Sequence, residues 1–328
     1  MREANPSRPM NKRFALFQVL FSVVALAAVI WWASHQDAPE IPSGTDAIAW
    51  LGLALALYAL ATAVRAERWH AILRESRIEA TRRDCYGLST VGYMGNNVLP
   101  ARAGEALRVF LLDGRTGAGK RKILGTIVVE RLLDLVALVV IFVLTVYLVL
   151  EGDVVPTDEP LLIAGIGLAL LALGAVALWT VHRRGGLARL RELIAPLVHA
   201  PRALMNRQGL LLLIVTFALW AIEAAVYLAV ARAIDLHIST SGALYLVALT
   251  NFVAALPAAP GSIGTFDAAV AFGAKALGAS GSVAVTYLLL LRFILYVPIT
   301  IVGLIVLVTR YGGWARLRQA THLETSSV

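Results

Sequence analysis

Gly92–Leu112 reads GYMGNNVLPARAGEALRVFLL, and Thr250–Ala271 reads TNFVAALPAAPGSIGTFDAAVA. Both stretches are apolar at their ends and broken at their centres, the first by Asn-Asn and Pro-Ala-Arg, the second by a Pro-Gly turn. A continuous membrane-spanning helix has no use for such residues at mid-depth. Backbone released from helical bonding there is tolerated only where protein or a water-filled cavity covers it. Each stretch therefore reads as a re-entrant helix–turn–helix, with the two turns as walls of one binding site.

The rest of the chain agrees with a bilayer setting. Of its 328 residues, 59% are hydrophobic and 15% charged. The length would suit two soluble domains, but several runs reach the roughly 20 apolar residues that cross a bilayer. The expected class is an all-α polytopic membrane protein. The net charge of +8 fits basic loops beside anionic headgroups, and no nucleic-acid partner is expected. Cys85 is the single cysteine and the histidines are scattered, so no disulfide, metal site or cofactor is expected. Gly114–Lys120 matches GxxxxGK, but Arg121 stands where a phosphate-binding loop needs Ser or Thr for magnesium. No soluble catalytic motif is present in the sequence, and no catalytic residue is assigned.

Full spans are expected near Phe14–Ala33, Asp46–Ala66, Ile123–Leu150, Leu161–Val181, Gly209–Ala233 and Ser282–Thr309. The first is too long for a signal peptide and ends in Trp31-Trp32, an interfacial anchor. With the two hairpins this makes about eight membrane segments, as a 14–309 domain between tails 1–13 and 310–328. Lys and Arg crowd the N-terminal tail, Arg65–Asp84, Asp113–Lys122, His182–Gln208 and the C-terminal tail, while Ser34–Thr45 and Glu151–Pro160 carry neither. The positive-inside rule places both termini in the cytoplasm. The first hairpin then enters from the cytoplasm and the second from outside. Span, hairpin, span occurs twice in opposite orientation, the outline of an inverted repeat with a site at its interface. The alternative is two unrelated helix breaks in an eight-helix bundle. The linker Gly185–Met205 reads either as a membrane-surface segment or as a solvated basic loop.

In the first hairpin Asn96, Asn97, Pro100, Arg102, Glu105 and Arg108 surround the break. Pro100 stops the incoming helix. The next half-helix offers free N–H groups and partial positive charge, which suit phosphate, and Arg102 adds a guanidinium for bidentate contact. Glu105 and Arg108 are spaced to pair on one helix face. In the second hairpin Pro260 suits a helix start, Gly261 and Gly264 allow close approach, Asp267 lies one turn into the half-helix, and Asn251 comes from the incoming limb. Glu130, Arg131 and Asp134 share a face of the third span, Glu223 lies deep in the fifth and Arg292 in the last. Such intramembrane charges are functional candidates that need partners, and Arg292–Asp267 and Arg131–Glu105 are the pairs expected. For each hairpin a purely structural role, an ionic clamp in the first and small-residue packing in the second, stands beside the binding role.

These stretches, with VVERLLDLVAL and LLLLRFILYVP, resemble the transmembrane domain of lysylphosphatidylglycerol synthases and the stand-alone flippase-like proteins of that superfamily, UPF0104. The likeness runs from about Phe14 to Thr309. Asn97, Pro100, Arg102, Gly104, Glu105 and Arg108 match its N-x-x-P-x-R-x-G-E-x-x-R pattern. Glu130, Arg131 and Asp134 match E-R-x-x-D, and Pro257, Pro260, Gly261 and Gly264 match P-x-x-P-G-x-x-G. Asp267 replaces a usual Glu and Ser262 a usual Gly. Bifunctional members append a soluble aminoacyl-transferase domain. The stretch after Thr309 falls short of the roughly 40 residues an unaided domain needs, so aminoacylation by this chain is not expected.

What the resemblance implies is movement of an anionic phospholipid or lipid-linked carrier between leaflets of a bacterial inner membrane. The buried acids would balance the arginines and offer sites for proton coupling. The runner-up is a non-transporting accessory subunit beside lipid or hopanoid biosynthetic enzymes, with homo-oligomerisation open in either case. A membrane-embedded transferase is a third reading. A polar cavity open to lipid favours transport, and a dry, packed midplane favours the accessory role.

Overall fold

The computed structural model describes residues 24, 26–38, 42–99, 103–151, 207–255 and 260–313, with backbone alone at 147–151 and 255. The expected span Leu161–Val181, most of Phe14–Ala33, the linker Gly185–Met205, and Pro100, Arg102 and Pro257 lie outside these residues. The described residues are helical, without strands. The helices are α1 (Thr45–Glu75), α2 (Arg82–Val98), α3 (Gly104–Thr116), α4 (Lys120–Glu151), α5 (Arg207–Arg232), α6 (Thr240–Ala255), α7 (Thr265–Ala276) and α8 (Gly281–Tyr311), with a short 3-10 turn at Pro260–Ser262. By length and composition α1, α5 and α8 can each cross a membrane.

Local chemistry sets the boundaries. The Thr81 hydroxyl accepts the Asp84 N–H at 3.1 Å and so caps α2. Leu99 precedes a proline, which disfavours helical backbone, and it is extended (φ −95°, ψ 148°) where α2 stops. Gly117 and Gly312 close α3 and α8 in the left-handed conformation.

Glycines bring the limbs of the first hairpin together. α2 and α3 run antiparallel, with Gly92 beside Arg108 and Gly95 beside Gly104. A methyl group at Gly104 would collide with the Gly92 carbonyl and approach the Asn96 nitrogen to 2.6 Å. Both obstacles are backbone, so neither can swing away. Gly104→Ala is expected to cost about 1–3 kcal/mol as overpacking, measurable as a lower unfolding midpoint in detergent. In the second hairpin Gly273 lies against Leu246 and Leu249, and Gly242 against Leu277.

The hairpins dock on long helices at their breaks. α2 runs antiparallel to α8: Gly87 meets Tyr311, Thr90 meets Gly303, and the Asn97 amide donates to the Thr300 hydroxyl at 2.9 Å. From Thr300 to the end of α8 is about 16 Å of helix rise. The second break reaches α8 from its other end, with Gly261 beside Tyr296 and bonded to Arg292. From Gly281 to Arg292 is also about 16 Å. The breaks touch, since a Cβ at Gly261 would stand 3.3 Å from the Asn97 carbonyl oxygen. Elsewhere α1 packs on α5, α6 on α4, α3 on α4 and α7 on α8.

One boundary differs in a way that matters. The span expected to end at Ala66 continues to Glu75. Arg65 and Arg68, expected in a cytoplasmic segment, are buried inside the bundle, Arg68 to 2% exposure. Hydropathy treats a charge as the end of a span. It has no term for carboxylates on other helices that offset the burial.

Candidate functional site

Two ionic assemblies occupy the centre of the protein. In the first, Arg68 of α1 contacts Asp134 at 2.7 Å and Glu130 at 3.7 Å, and donates to the Thr216 hydroxyl at 2.9 Å. Glu130 also takes Arg108 of α3 at 2.6 Å, and Asp134 takes Arg131 at 3.4 Å. Arg131 continues to Glu105 at 2.8 Å. Charges therefore alternate without a gap from Glu105 through Arg131, Asp134, Arg68 and Glu130 to Arg108. The Arg108 guanidinium lies 3.9 Å over the Trp69 ring. Beside this chain, Arg65 pairs with Glu223 between the rings of Tyr93 and Trp220.

The second assembly fixes the second break. Arg292 grips Asp267 through Nε at 2.6 Å and a terminal nitrogen at 2.8 Å, and donates to the carbonyls of Gly261 at 2.7 Å and Ser262 at 3.2 Å. Asp267 also accepts the Gly264 N–H at 2.8 Å. Gly261 and Gly264 take positive φ (65° and 85°), as does Ser262 (50°). The left-handed region costs a residue other than glycine roughly 1–2 kcal/mol, and the carbonyl grip of Arg292 holds Ser262 there.

Where the breaks meet, a cleft of about 300 Å³ is lined by Asn97, Gly261, Arg292, Tyr296 and Thr300, with Val98, Ile263, Val297 and Ile301 at its rim. All four rim residues are exposed aliphatics. Polar groups thus form the floor of a window whose surround is greasy.

Both ion pairs expected from the sequence, Arg292–Asp267 and Arg131–Glu105, are formed. The expected Glu105–Arg108 pair along one helix is replaced by links to α4, because α4 presents Glu130 and Arg131 at matching heights. Asn97 reaches Thr300, while Asn96 Oδ1 is buried beside Gly104 without a partner among the described residues. Asn251 donates to the Val247 carbonyl of its own helix at 2.9 Å. Pro260 opens the 3-10 turn. The two half-helix starts, expected to act alike on phosphate, differ. Asp267 caps the start of α7, whereas Ala103 supplies no side-chain cap to α3.

The sequence model of the lysylphosphatidylglycerol synthase TM region matches residues 18–303. The chain belongs to this family. Two proteins to which the chain is similar are UPF0104 membrane proteins. That of Methanocaldococcus jannaschii is 23% identical over 214 residues, 64% of this chain and 91% of the relative. That of Pyrococcus horikoshii is 24% identical over 129 residues, and the match covers 38% of either chain. Membership makes this a multi-pass membrane protein of a family tied to lipid metabolism or transport.

Within this lysylphosphatidylglycerol synthase TM-region protein, sequence reasoning missed Arg65, Arg68, Trp69 and Thr216 as members of the charged centre. One signal was available. Arg65 and Arg68 are a helical turn apart and directly continue an apolar run, and Glu130 and Asp134, also a turn apart, border another. Two such helices with opposite charges at comparable depth can meet.

Proposed function

We propose that the protein moves an anionic phospholipid or lipid-linked carrier between membrane leaflets, with the headgroup in the cleft between the two helix breaks and the acyl chains outside. The observation that carries this reading is the cleft's construction: Asn97, Arg292 and Thr300 at its floor, exposed Val98, Ile263, Val297 and Ile301 around it. A water-soluble ligand gains nothing from such a rim, and a lipid needs both parts. An open window with polar groups inside it favours transport over the accessory role, for which a sealed centre would serve.

The architecture behind this is six spans with two opposed re-entrant hairpins arranged as an inverted repeat, in a bacterial inner membrane with cytoplasmic termini. Three observations support the opposed breaks and the repeat. The breaks approach α8 from opposite ends, the second meeting it at Arg292 about 16 Å from its start and the first at Thr300 about 16 Å from its end, each distance about half the thickness of a ~30 Å hydrocarbon core. The pattern of helix contacts is unchanged when α1–α4 are exchanged for α5–α8: α2 on α8 becomes α6 on α4, and α3 on α4 becomes α7 on α8. Arg131 and Arg292 stand at the same position counted from the starts of α4 and α8, and each pairs with an acid near the start of the preceding helix.

In the described centre each guanidinium has its carboxylate: Arg65 with Glu223, Arg68 with Asp134, Arg108 with Glu130, Arg131 with Glu105, Arg292 with Asp267. A phosphate needs a charge beyond this balance, and Arg102 at the first break would bring it, beside the uncapped start of α3. The chain acts as a carrier and not as a transferase. The test is transfer of a fluorescent phospholipid in proteoliposomes, read by dithionite quenching. Arg102→Ala and the cleft-filling Val297→Trp are each expected to lower the rate at least tenfold with unfolding unchanged. Wild-type rates in both would sink the proposal.

A further inference from the structure

Arg131 differs from the other guanidiniums at the centre. Its side chain is 42% exposed and that of Glu105, its partner, 28%. The equivalent pair in the second half is 20% and 7% exposed, and Arg292 is held by two contacts to the carboxylate and two backbone carbonyls. Arg131 has one close contact, to Glu105, and a longer one to Asp134, and its remaining N–H groups have no partner among the described residues. Its surround is apolar: Leu132, Leu135 and Val136 are exposed large hydrophobics on the same helix. The position is about 16 Å along α4, so this is an exposed guanidinium on a greasy face at depth. Intramembrane charges ordinarily face the bundle interior or a water-filled cavity; this one is paired with Glu105 yet open to an anion that approaches from outside.

Repeat symmetry says where such an anion sits. Leu132 and Val136 on α4 correspond to Phe293 and Val297 on α8, all exposed. Arg131 therefore faces the surface that matches the α8 window. We infer that Arg131 is a second lipid-phosphate station, reached laterally from the bilayer along α4, in which Glu105 holds the guanidinium until a lipid phosphate displaces it. The inference rests on the transport reading but adds a site on another helix and a competitor within it. The phosphate is lipid-borne because the approach to Arg131 is apolar. A free phosphate ion would have to cross that surface without its water.

Competition gives the two partners opposite signs. A lipid phosphate shares Arg131 with the Glu105 carboxylate, so removing the carboxylate frees donors, and removing the guanidinium removes the site. The full chain is placed in nanodiscs of neutral phospholipid doped with phosphatidylglycerol that carries a photoactivatable group near its headgroup. Labelled peptides are then mapped by mass spectrometry. Labelling near Leu132 and Leu135 is expected in the wild type, several-fold weaker in Arg131→Gln, partly restored in Arg131→Lys and several-fold stronger in Glu105→Gln. Labelling at Val297 and Ile301 should not change, and millimolar inorganic phosphate should not compete. Unchanged α4 labelling in Arg131→Gln, or weakened labelling in Glu105→Gln, overturns the second station. Competition by inorganic phosphate overturns its lipid character. Loss of α8 labelling in the wild type would instead refute the cleft, while the α4 arms still decide this site. Should Arg131→Gln fail to fold, the rise expected in Glu105→Gln remains the deciding result.

Discussion

Arg68→Ala is expected to remove about 3–5 kcal/mol of stability, the cost of breaking a buried ion pair from one side. Arg68 is the junction of the charged chain and the link between α1 and the pair α4–α5. With it gone, Asp134 keeps only Arg131 at 3.4 Å, and Glu130 keeps only Arg108. The Thr216 hydroxyl loses its donor as well. Against a typical total of 5–15 kcal/mol, such a loss brings the protein close to unfolding at growth temperature. It is measured as a fall in the denaturation midpoint in mild detergent. The control is Arg82→Ala, which breaks an exposed pair with Glu67. Surface pairs contribute about 0–1 kcal/mol, so that midpoint should scarcely move. Equal midpoints for Arg68→Ala and Arg82→Ala would show that the buried chain contributes nothing to the fold.

The same residue marks the limit of what the sequence conveys. The two breaks were legible because Pro and Gly act locally: Pro100 ends α2 through its effect on Leu99, and Gly261 and Gly264 adopt backbone that few other residues accept. The pairs Arg131–Glu105 and Arg292–Asp267 were legible because each acid starts a half-helix and each arginine lies at the depth of that start. Arg65 and Arg68 were not, because their meaning depends on Glu223, Glu130 and Asp134, which lie far away in the chain. Side-chain charge alone cannot distinguish a basic loop from a buried clamp. The cleft was foreseen as a meeting of turns, but its floor was not. Thr300 is one polar residue within an apolar run, and only the antiparallel packing of α2 on α8 sets Asn97 beside it.

The two halves of the protein supply their own control for separating stability from transport. Counted from the starts of α1 and α5, and of α4 and α8, Arg68, Glu130 and Asp134 fall on Val230, Leu291 and Leu295. Counted from Glu105 and Asp267, Arg108 falls on Val270. All four counterparts are buried aliphatics, so the second half packs the same place without ions. Writing them into the first half as Arg68→Val, Arg108→Val, Glu130→Leu and Asp134→Leu removes both signs of charge together. No uncompensated ion is left, and replacing buried ionic groups with packed apolar ones is often neutral or stabilising by about 1–4 kcal/mol. The fourfold variant is therefore expected to recover the midpoint lost in Arg68→Ala. It should nonetheless transfer the fluorescent lipid at least tenfold more slowly. Without Asp134, Arg131 loses its second carboxylate and leans wholly on Glu105, and the alternating chain that connects α1, α3 and α4 at the first break is gone. A stable variant that still transfers lipid at the wild-type rate would show that the ions serve the fold alone, and that only the two repeat-related pairs, Arg131–Glu105 and Arg292–Asp267, belong to the lipid path.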